Sequence, residues 1–374
     1  MKTVIKNAHV VLPDCSGFVD ADLLVCDGKI AEIGQSLSGD VEYDAKGKYL
    51  LPGLIDVHNH GAIGVYYGSE EDPKALGFLA KCGVTTVLPT FGTHSIDKLV
   101  ERIRFIIANK EKHEDIARIG GIHMEGPFVS TEKRGALAVA PLTCNKEDFI
   151  RLVEAGEGEV RIMTIAPELE GALDIIREGA KRGVRMSLGH TMATYDEAMA
   201  GIEAGATHAT HTFNAMRAYN HREPGVLGAV LTDERVSCET ICDMVHLSPV
   251  TVKLIRLAKG LDKMILVSDS GLITGVPNGE YVIDGQTRYV KDGVSRTANG
   301  TIAGSCFTMA DDARNLVKIG FTLPEIARIG ALNPARAAKI DDYLGTLEVG
   351  KCADVLVCDE EMNIERVMIR GKFI

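Results

Sequence analysis

Tryptophan is absent from this chain of 374 residues, and the aromatic share is only 5%. Any core must therefore be built from aliphatic side chains, and the 45% of hydrophobic residues can fill a large one. A cationic surplus is missing too. The formal net charge is −11, which excludes an extended nucleic-acid groove, because phosphate neutralisation takes clustered Lys and Arg. A small anionic substrate is not excluded, since one or two local Arg residues can hold it. No apolar run reaches the ~20 residues of a membrane-spanning helix, and residues 1–11 lack the apolar centre of a secretory leader. A cytoplasmic protein without a membrane partner is expected. No tight cysteine framework exists either. The nine cysteines are odd in number and dispersed, which reads as reduced thiols. Cys238 and Cys242 are spaced like a metal pair, but they fall in and just after a strand pattern over 236–241 with no second pair following, so they are expected to be structural.

What is present is a change of rhythm along the chain. Residues 3–5, 8–12, 21–26 and 29–33 are β-rich runs broken by turn residues, and Asp27-Gly28 is a strong hairpin signal. The end of the chain looks alike, with apolar runs at 353–358 and 367–369 and a turn at Arg370-Gly371. These runs predict a small β-sandwich built from both termini, 1–52 with 345–374. The middle, 53–344, alternates strand and helix. Strands are predicted at 54–57, 85–88, 118–124, 161–165, 185–188, 207–210, 236–241 and 264–267. Helical spacing falls between them, for example at 73–81, 96–108, 171–182 and 195–204. Thr194 and Glu197 form a capping box, and Ser248-Pro249 starts a further helix. Eight such units predict an α/β fold, a closed (β/α)8 TIM-type barrel. An open doubly wound sheet lacks support, because no G-x-G-x-x-G follows the first strand. Residues 284–300, polar and Gly-rich, read as a hairpin inserted after the last strand.

The metal-capable side chains fall where those strands end. His58 and His60 follow the first strand, and period-two spacing puts both rings on one face. Glu125 follows the third strand, His190 the fifth, His211 the sixth and Asp269 the eighth. Barrel enzymes place their active sites at these C-terminal strand ends, and a mixed imidazole–carboxylate set suits Zn²⁺ or Fe²⁺ better than Mg²⁺ or Ca²⁺. Asp269 is the candidate acid/base. His246, after the seventh strand, is a candidate to polarise a carbonyl. Arg222, in Arg222-Glu223-Pro224-Gly225, is a candidate oxyanion clamp. His123 and His208 sit two and three residues before ligand candidates, where supporting contacts would be made. His9, His94, His113 and His221 fit no pattern.

Nearly the whole chain resembles the N-acetylglucosamine-6-phosphate deacetylases of the amidohydrolase superfamily. Pro52-Gly53-Leu54-Ile55-Asp56-Val57-His58-Asn59-His60 is shared across the superfamily. His123-Met124-Glu125-Gly126-Pro127 and His211-Thr212-Phe213-Asn214-Ala215-Met216 are much more specific to the deacetylases. The resemblance implies that Glu125, His190 and His211 hold the main divalent ion, with His58 and His60 helping to hold a second. Zinc is expected first and ferrous iron second, at one or two ions per subunit. Ala166 stands at the end of the fourth strand, so a carboxylated lysine bridge is not expected there. The resemblance further implies that Asn214, Ala215, Arg222, His246, Ile302, Ala303 and Gly304 contact an amino-sugar phosphate, with Ala136 and Leu137 on a substrate loop. Family members often carry a His on that loop that reaches a neighbouring subunit's phosphate, and here Arg134-Gly135-Ala136-Leu137-Ala138 has none. The implied reaction is hydrolysis of the N-acetyl amide, with Asp269 as proton carrier and His246 stabilising the oxyanion, in a homodimer. Another N-acyl compound or a cyclic amide is the alternative substrate.

Overall fold

The computed structural model describes residues 2–137, 139–283 and 286–374. Ala138, Asp284 and Gly285 lie outside them. Eight parallel strands form the centre: β1 (Leu54–Asn59), β2 (Val84–Phe91), β3 (Ile122–Glu125), β4 (Val160–Ile165), β5 (Arg185–Leu188), β6 (His208–Ala209), β7 (Ser237–Ile241) and β8 (Met264–Val267). Each pairs with the next from β1 to β8. The ring closes just beyond β8, where Asn59 bridges Ser270 and the Asp269 amide donates to the His58 carbonyl at 3.1 Å. This is the expected barrel.

Two strands differ from expectation. The run 118–124 is split into Arg118–Ile119 and β3, because Gly121 takes φ 138°, a region open to glycine. At the N-terminus, two expected strands are one, Lys2–Val11. Asn7 there takes φ 53° and its amide donates to Asp22 at 3.0 Å, so a bulge absorbs what reads as a break.

A helix follows every barrel strand. Ala172–Lys181 shows why: Ala172, Ile175, Ile176 and Gly179 are buried at helical spacing. Gly179 lies so close to the barrel that a Cβ would stand 2.2 Å from the Met186 sulfur. Tyr195–Glu203 begins with the expected capping box of Thr194 and Glu197. Both chain ends meet in one eight-stranded sheet that runs from Lys372–Phe373 through Tyr49–Pro52 to Lys29–Gly34, with Asp27-Gly28 as a left-handed two-residue turn.

The insertion after β8 is larger than the expected hairpin. It is a four-stranded antiparallel meander of Gly279–Ile283, Gln286–Lys291, Val294–Thr297 and Ile302–Ser305. Ser305 bridges Ser270, which pins the meander over the barrel mouth.

The barrel interior is layered. Ile55, Val57, Leu88, Ile162, Ile241, Ile265 and Val267 cluster with Ala335, Ala338, Ile340 and Leu344. On the mouth side of this apolar floor, strand alternation brings in polar groups. His123, Thr164, Ser187, His208, Thr210 and Glu239 are all fully buried, with His123, Thr164, Thr210 and Ser187 in one hydrogen-bonded chain and His208 bonded to Glu239. The layer's hydrogen bonds are made mostly within it, as burial of such groups requires, and His208 Nδ1 is the one of its side-chain atoms that lacks a partner among the described residues.

Candidate active site

The mouth of the barrel gathers all six ligand candidates. His190 Nε2 and His211 Nε2 stand 3.0 Å apart, and Glu125 Oε1 lies 3.0 and 3.1 Å from them. The other half of the cluster shares the same carboxylate. His58 Nε2 lies 3.3 Å from Glu125 Oε1 and 3.5 Å from Asp269 Oδ1. His60 Nε2 lies 3.4 Å from Glu125 Oε2 and 3.3 Å from Asp269 Oδ1. His190, His211 and Asp269 have φ of 47°, 29° and 50°. Left-handed backbone is uncommon outside glycine, and strain of this kind is characteristic of functional sites. Each turn directs a side chain inward as its strand ends.

Proton positions test whether these residues suit a cation. His190 Nδ1 faces the Lys133 carbonyl at 2.6 Å, His60 Nδ1 the Thr90 carbonyl at 3.0 Å, and His58 Nδ1 a Glu239 oxygen at 2.9 Å. Each acceptor calls for a proton on Nδ1, which leaves Nε2 of the neutral ring with a bare lone pair. Those lone pairs converge on carboxylate oxygens, which are also acceptors. A divalent ion resolves the conflict for all of them together, and an Nδ1-anchored ring is the usual form of a metal-bound His. The ~3 Å triangle of Glu125, His190 and His211 is near the spacing of two ligands on a tetrahedral ion with bonds of ~2.0–2.1 Å. The residues therefore fit a divalent metal.

Above the cluster opens a cleft of about 860 Å³. His60, Glu125, His190, His211 and Asp269 line its floor, and His58 is buried just beneath. Asn214, Ala215, Ala136, Leu137, His246, Ile302, Ala303 and Gly304 line its walls. Arg222 does not. It is exposed and lines a separate shallow pocket with Lys133 and Arg217. The reason is local: its turn is closed by the Arg222 amide donating to Asn220 and by the Asn220–Glu223 bridge, which leave the side chain outside the cleft.

His246 is held by a residue sequence reasoning passed over. Asp243 Oδ2 lies 2.6 Å from His246 Nδ1, while Oδ1 accepts the amides of Val245 and His246 at 2.8 Å each. Ser305, from the meander, donates to Oδ2 at 3.1 Å. Burial disfavours the His246 cation, but the Asp243 hydrogen bond and charge, with Asp269 behind them, outweigh it and raise its pKa above the ordinary value. The spacing Asp-x-x-His at a strand end was the available signal.

Three cations on the cleft wall were also missed. Arg102 stacks over Tyr66 at 4.7 Å, and Arg288 and Arg296 come from the meander. Arg288, 7% exposed, donates to the Ala136 carbonyl at 3.2 Å. Adjacent Gly135 packs toward both His190 and Ala215, so Arg288 stands near the predicted sugar-phosphate loop. No local pattern marks these residues, because the cleft brings Arg102, on the helix Ile96–Asn109, together with Arg288 and Arg296 of the meander from distant parts of the chain. Of the other histidines, His94 lines the cleft, while His123 and His208 sit in the polar layer below the ligands. Cys238 and Cys242 are buried free thiols, as expected of structural residues.

Residues 49–374 match the amidohydrolase family. The chain is 32% identical to an N-acetylglucosamine-6-phosphate deacetylase of Lysinibacillus sphaericus, covering 100% of this chain and 97% of that protein. It is also 32% identical to an N-acetylgalactosamine-6-phosphate deacetylase of Escherichia coli O157:H7, covering 99% of both. Among solved structures, N-acetylglucosamine-6-phosphate deacetylase from Pasteurella multocida superposes with a TM-score of 0.93 at 29% identity over 100% of both chains. A variant of the Mycobacterium smegmatis enzyme, in complex with N-acetyl-D-glucosamine 6-phosphate, superposes at 0.89 with 31% identity, covering 100% of this chain and 98% of that one. With this match along its length and this cluster at its barrel mouth, the chain belongs to the amidohydrolase family.

Proposed function

We propose that the protein hydrolyses the N-acetyl amide of N-acetylglucosamine 6-phosphate, giving acetate and glucosamine 6-phosphate. The observation that carries this reading is the convergence of His58, His60, Glu125, His190, His211 and Asp269 beneath a cleft with cationic walls. The ion is assigned as Zn²⁺, with Fe²⁺ the alternative, at one or two per subunit. Glu125, His190 and His211 would hold the first, and His58, His60 and Asp269 with Glu125 the second. A bound divalent ion supplies Lewis acidity toward the acyl oxygen and the attacking water.

The chain's own groups do the rest. Asp269 takes a proton from the water as its oxygen bonds to the acyl carbon. It returns that proton to the nitrogen as the C–N bond breaks, so a neutral amine and acetic acid depart, and the acid then gives its proton to water as acetate. His246 donates from Nε2 to the acyl oxygen as charge develops there. Because Asp243 accepts from Nδ1, only the imidazolium form carries a proton at Nε2, and the raised pKa serves that form. Asn214, Ala215, Ala136, Leu137, Ile302, Ala303 and Gly304 flank the sugar. Arg288 and Arg296 face its phosphate, and Arg222, which lies outside this cleft, is the further candidate contact. A cytoplasmic homodimer is the expected form of the protein. Among the described residues no helix is long and apolar enough to cross a membrane.

One observation favours a second reading. The galactosamine-type relative is as similar as the glucosamine-type one, so the 4-epimer is the rival substrate. Steady-state acetate release from N-acetylglucosamine 6-phosphate, N-acetylgalactosamine 6-phosphate and unphosphorylated N-acetylglucosamine decides between them. The phosphate is expected to raise kcat/KM by about 10²-fold, the worth of a charge-assisted contact of ~3 kcal/mol. Equal values with and without phosphate would refute the proposed specificity.

A further inference from the structure

Glu239, on β7, is fully buried one layer below the ligands, and no step above uses it. Its Oε2 lies 2.9 Å from His58 Nδ1 and accepts the His211 amide at 3.0 Å, while Oε1 lies 3.0 Å from His208 Nε2. His123 closes the layer, with Nδ1 at 2.9 Å from the Val57 carbonyl and Nε2 at 3.0 Å from Thr164 Oγ1. Glu239, His58 and His123 together have the composition of a metal site. Their facing atoms are already spent on one another and on the backbone, so the group is a hydrogen-bond hub and not an ion cage. The hub has a direction. It meets one half of the ligand cluster through an imidazole, at His58, and the other half through a main-chain amide, at His211.

We propose that Glu239 is a positioning residue for the second metal ion. By accepting from Nδ1 it fixes the His58 tautomer and ring orientation, so that a bare Nε2 faces Glu125 and Asp269. The first subsite depends on it less. His190 has its own orienting acceptor in the Lys133 carbonyl, and Glu239 does not touch the His211 ring. Glu239 therefore sets the affinity of the subsite of His58, His60 and Asp269 selectively. Partners of this kind change metal affinity about 10–100-fold.

The inference rests on the metal centre of the reading above and not on its substrate. The test accordingly uses Zn²⁺ alone, so that failure of the deacetylase assignment leaves it standing. Metal-stripped wild-type, E239A and E239Q proteins are titrated by equilibrium dialysis with elemental analysis, and thermal unfolding is recorded beside each. Wild type is expected to bind two ions. In E239A the weaker class should lose about 10–100-fold in affinity while the tighter class stays within ~3-fold. E239Q should fall between, because its amide oxygen can still accept from His58 Nδ1. Three results would overturn the proposal: a single ion in wild type, unchanged binding of both ions in E239A, or equal loss of both ions together with a large fall in Tm in both variants. If E239A fails to fold, E239Q decides alone, with selective weakening of the second class as support and either unchanged binding or uniform loss as refutation.

Discussion

Asp243→Asn should slow the enzyme only modestly and should remove its loss of activity at high pH. In the wild type, the Asp243 carboxylate claims the Nδ1 proton of His246 at 2.6 Å. Nε2 then has a proton to donate only while the ring is a cation. The folded pKa of His246 lies above its ordinary ~6.5. The active form is therefore present below that raised value and lost as pH climbs through it, which gives kcat an alkaline limb. Asparagine keeps the geometry: its oxygen can retain the amides of Val245 and His246, and its NH₂ takes the place of Oδ2. That NH₂ donates to Nδ1 and drives the neutral ring to carry its proton on Nε2. The donor thus survives deprotonation but loses its charge. A charged hydrogen bond is worth ~1.5–3 kcal/mol and a neutral one ~0.5–1.5, and the difference of about 1–1.5 kcal/mol slows kcat about 5–10-fold. Removing the donor outright, in His246→Ala, should cost about 10²–10³-fold. The assay is kcat for acetate release between pH 6 and 10 in the three proteins. The reasoning fails if Asp243→Asn is as slow as His246→Ala, or if it keeps the wild-type alkaline limb.

Asp269→Asn should keep the ion held by Glu125, His190 and His211 by elemental analysis yet lose about 10³-fold or more in kcat, since the proton carrier is gone. Full turnover in that variant would exclude Asp269 as base. Arg288→Ala should raise KM for the phosphorylated substrate about tenfold and leave the unphosphorylated sugar nearly unchanged, with a smaller effect from exposed Arg222→Ala because water screens it. Equal effects on both substrates would remove Arg288 from the phosphate site. Asp312 is fully buried, with no cationic partner among the described residues, and burial followed by the charges of Asp243, Asp311 and Asp56 pushes its pKa well above the ordinary range. A carboxyl whose folded pKa is raised loses stability as pH rises from its unfolded value toward its folded one, at up to ~1.4 kcal/mol per pH unit. The Tm advantage of Asp312→Asn over wild type should accordingly widen from pH 5 to pH 8, and a constant or shrinking gap would contradict it.

Much of this architecture was legible in local patterns. Period-two pairs such as His58 and His60, and ligands one to three residues past an apolar run, locate a barrel rim because strand length and alternation decide which residues end up there. Arg222 lies outside the main cleft for a physical reason. A motif fixes the chain's direction, but the Asn220–Glu223 turn decides where the side chain goes. The meander was readable only as a polar insertion. Its cations reach the cleft through the Ser270–Ser305 bridge and the Ala136 carbonyl, contacts between segments far apart in sequence.

Glu239 shows what lies between those extremes. In Ser237-Cys238-Glu239-Thr240-Ile241 its position shares an inward face with apolar Ile241, so the alternation that predicts the strand also places a carboxylate inside the barrel. Burying a carboxylate there costs several kcal/mol unless donors meet it. Three donors do, and two of them, the His58 ring and the His211 amide, belong to predicted ligands. A charged residue at an inward strand position, one layer below a ring of histidines, can thus be read from sequence as the support of a metal centre. An apolar residue at 239 would leave His58 free to rotate, and the barrel would keep its fold while the second ion lost its seat.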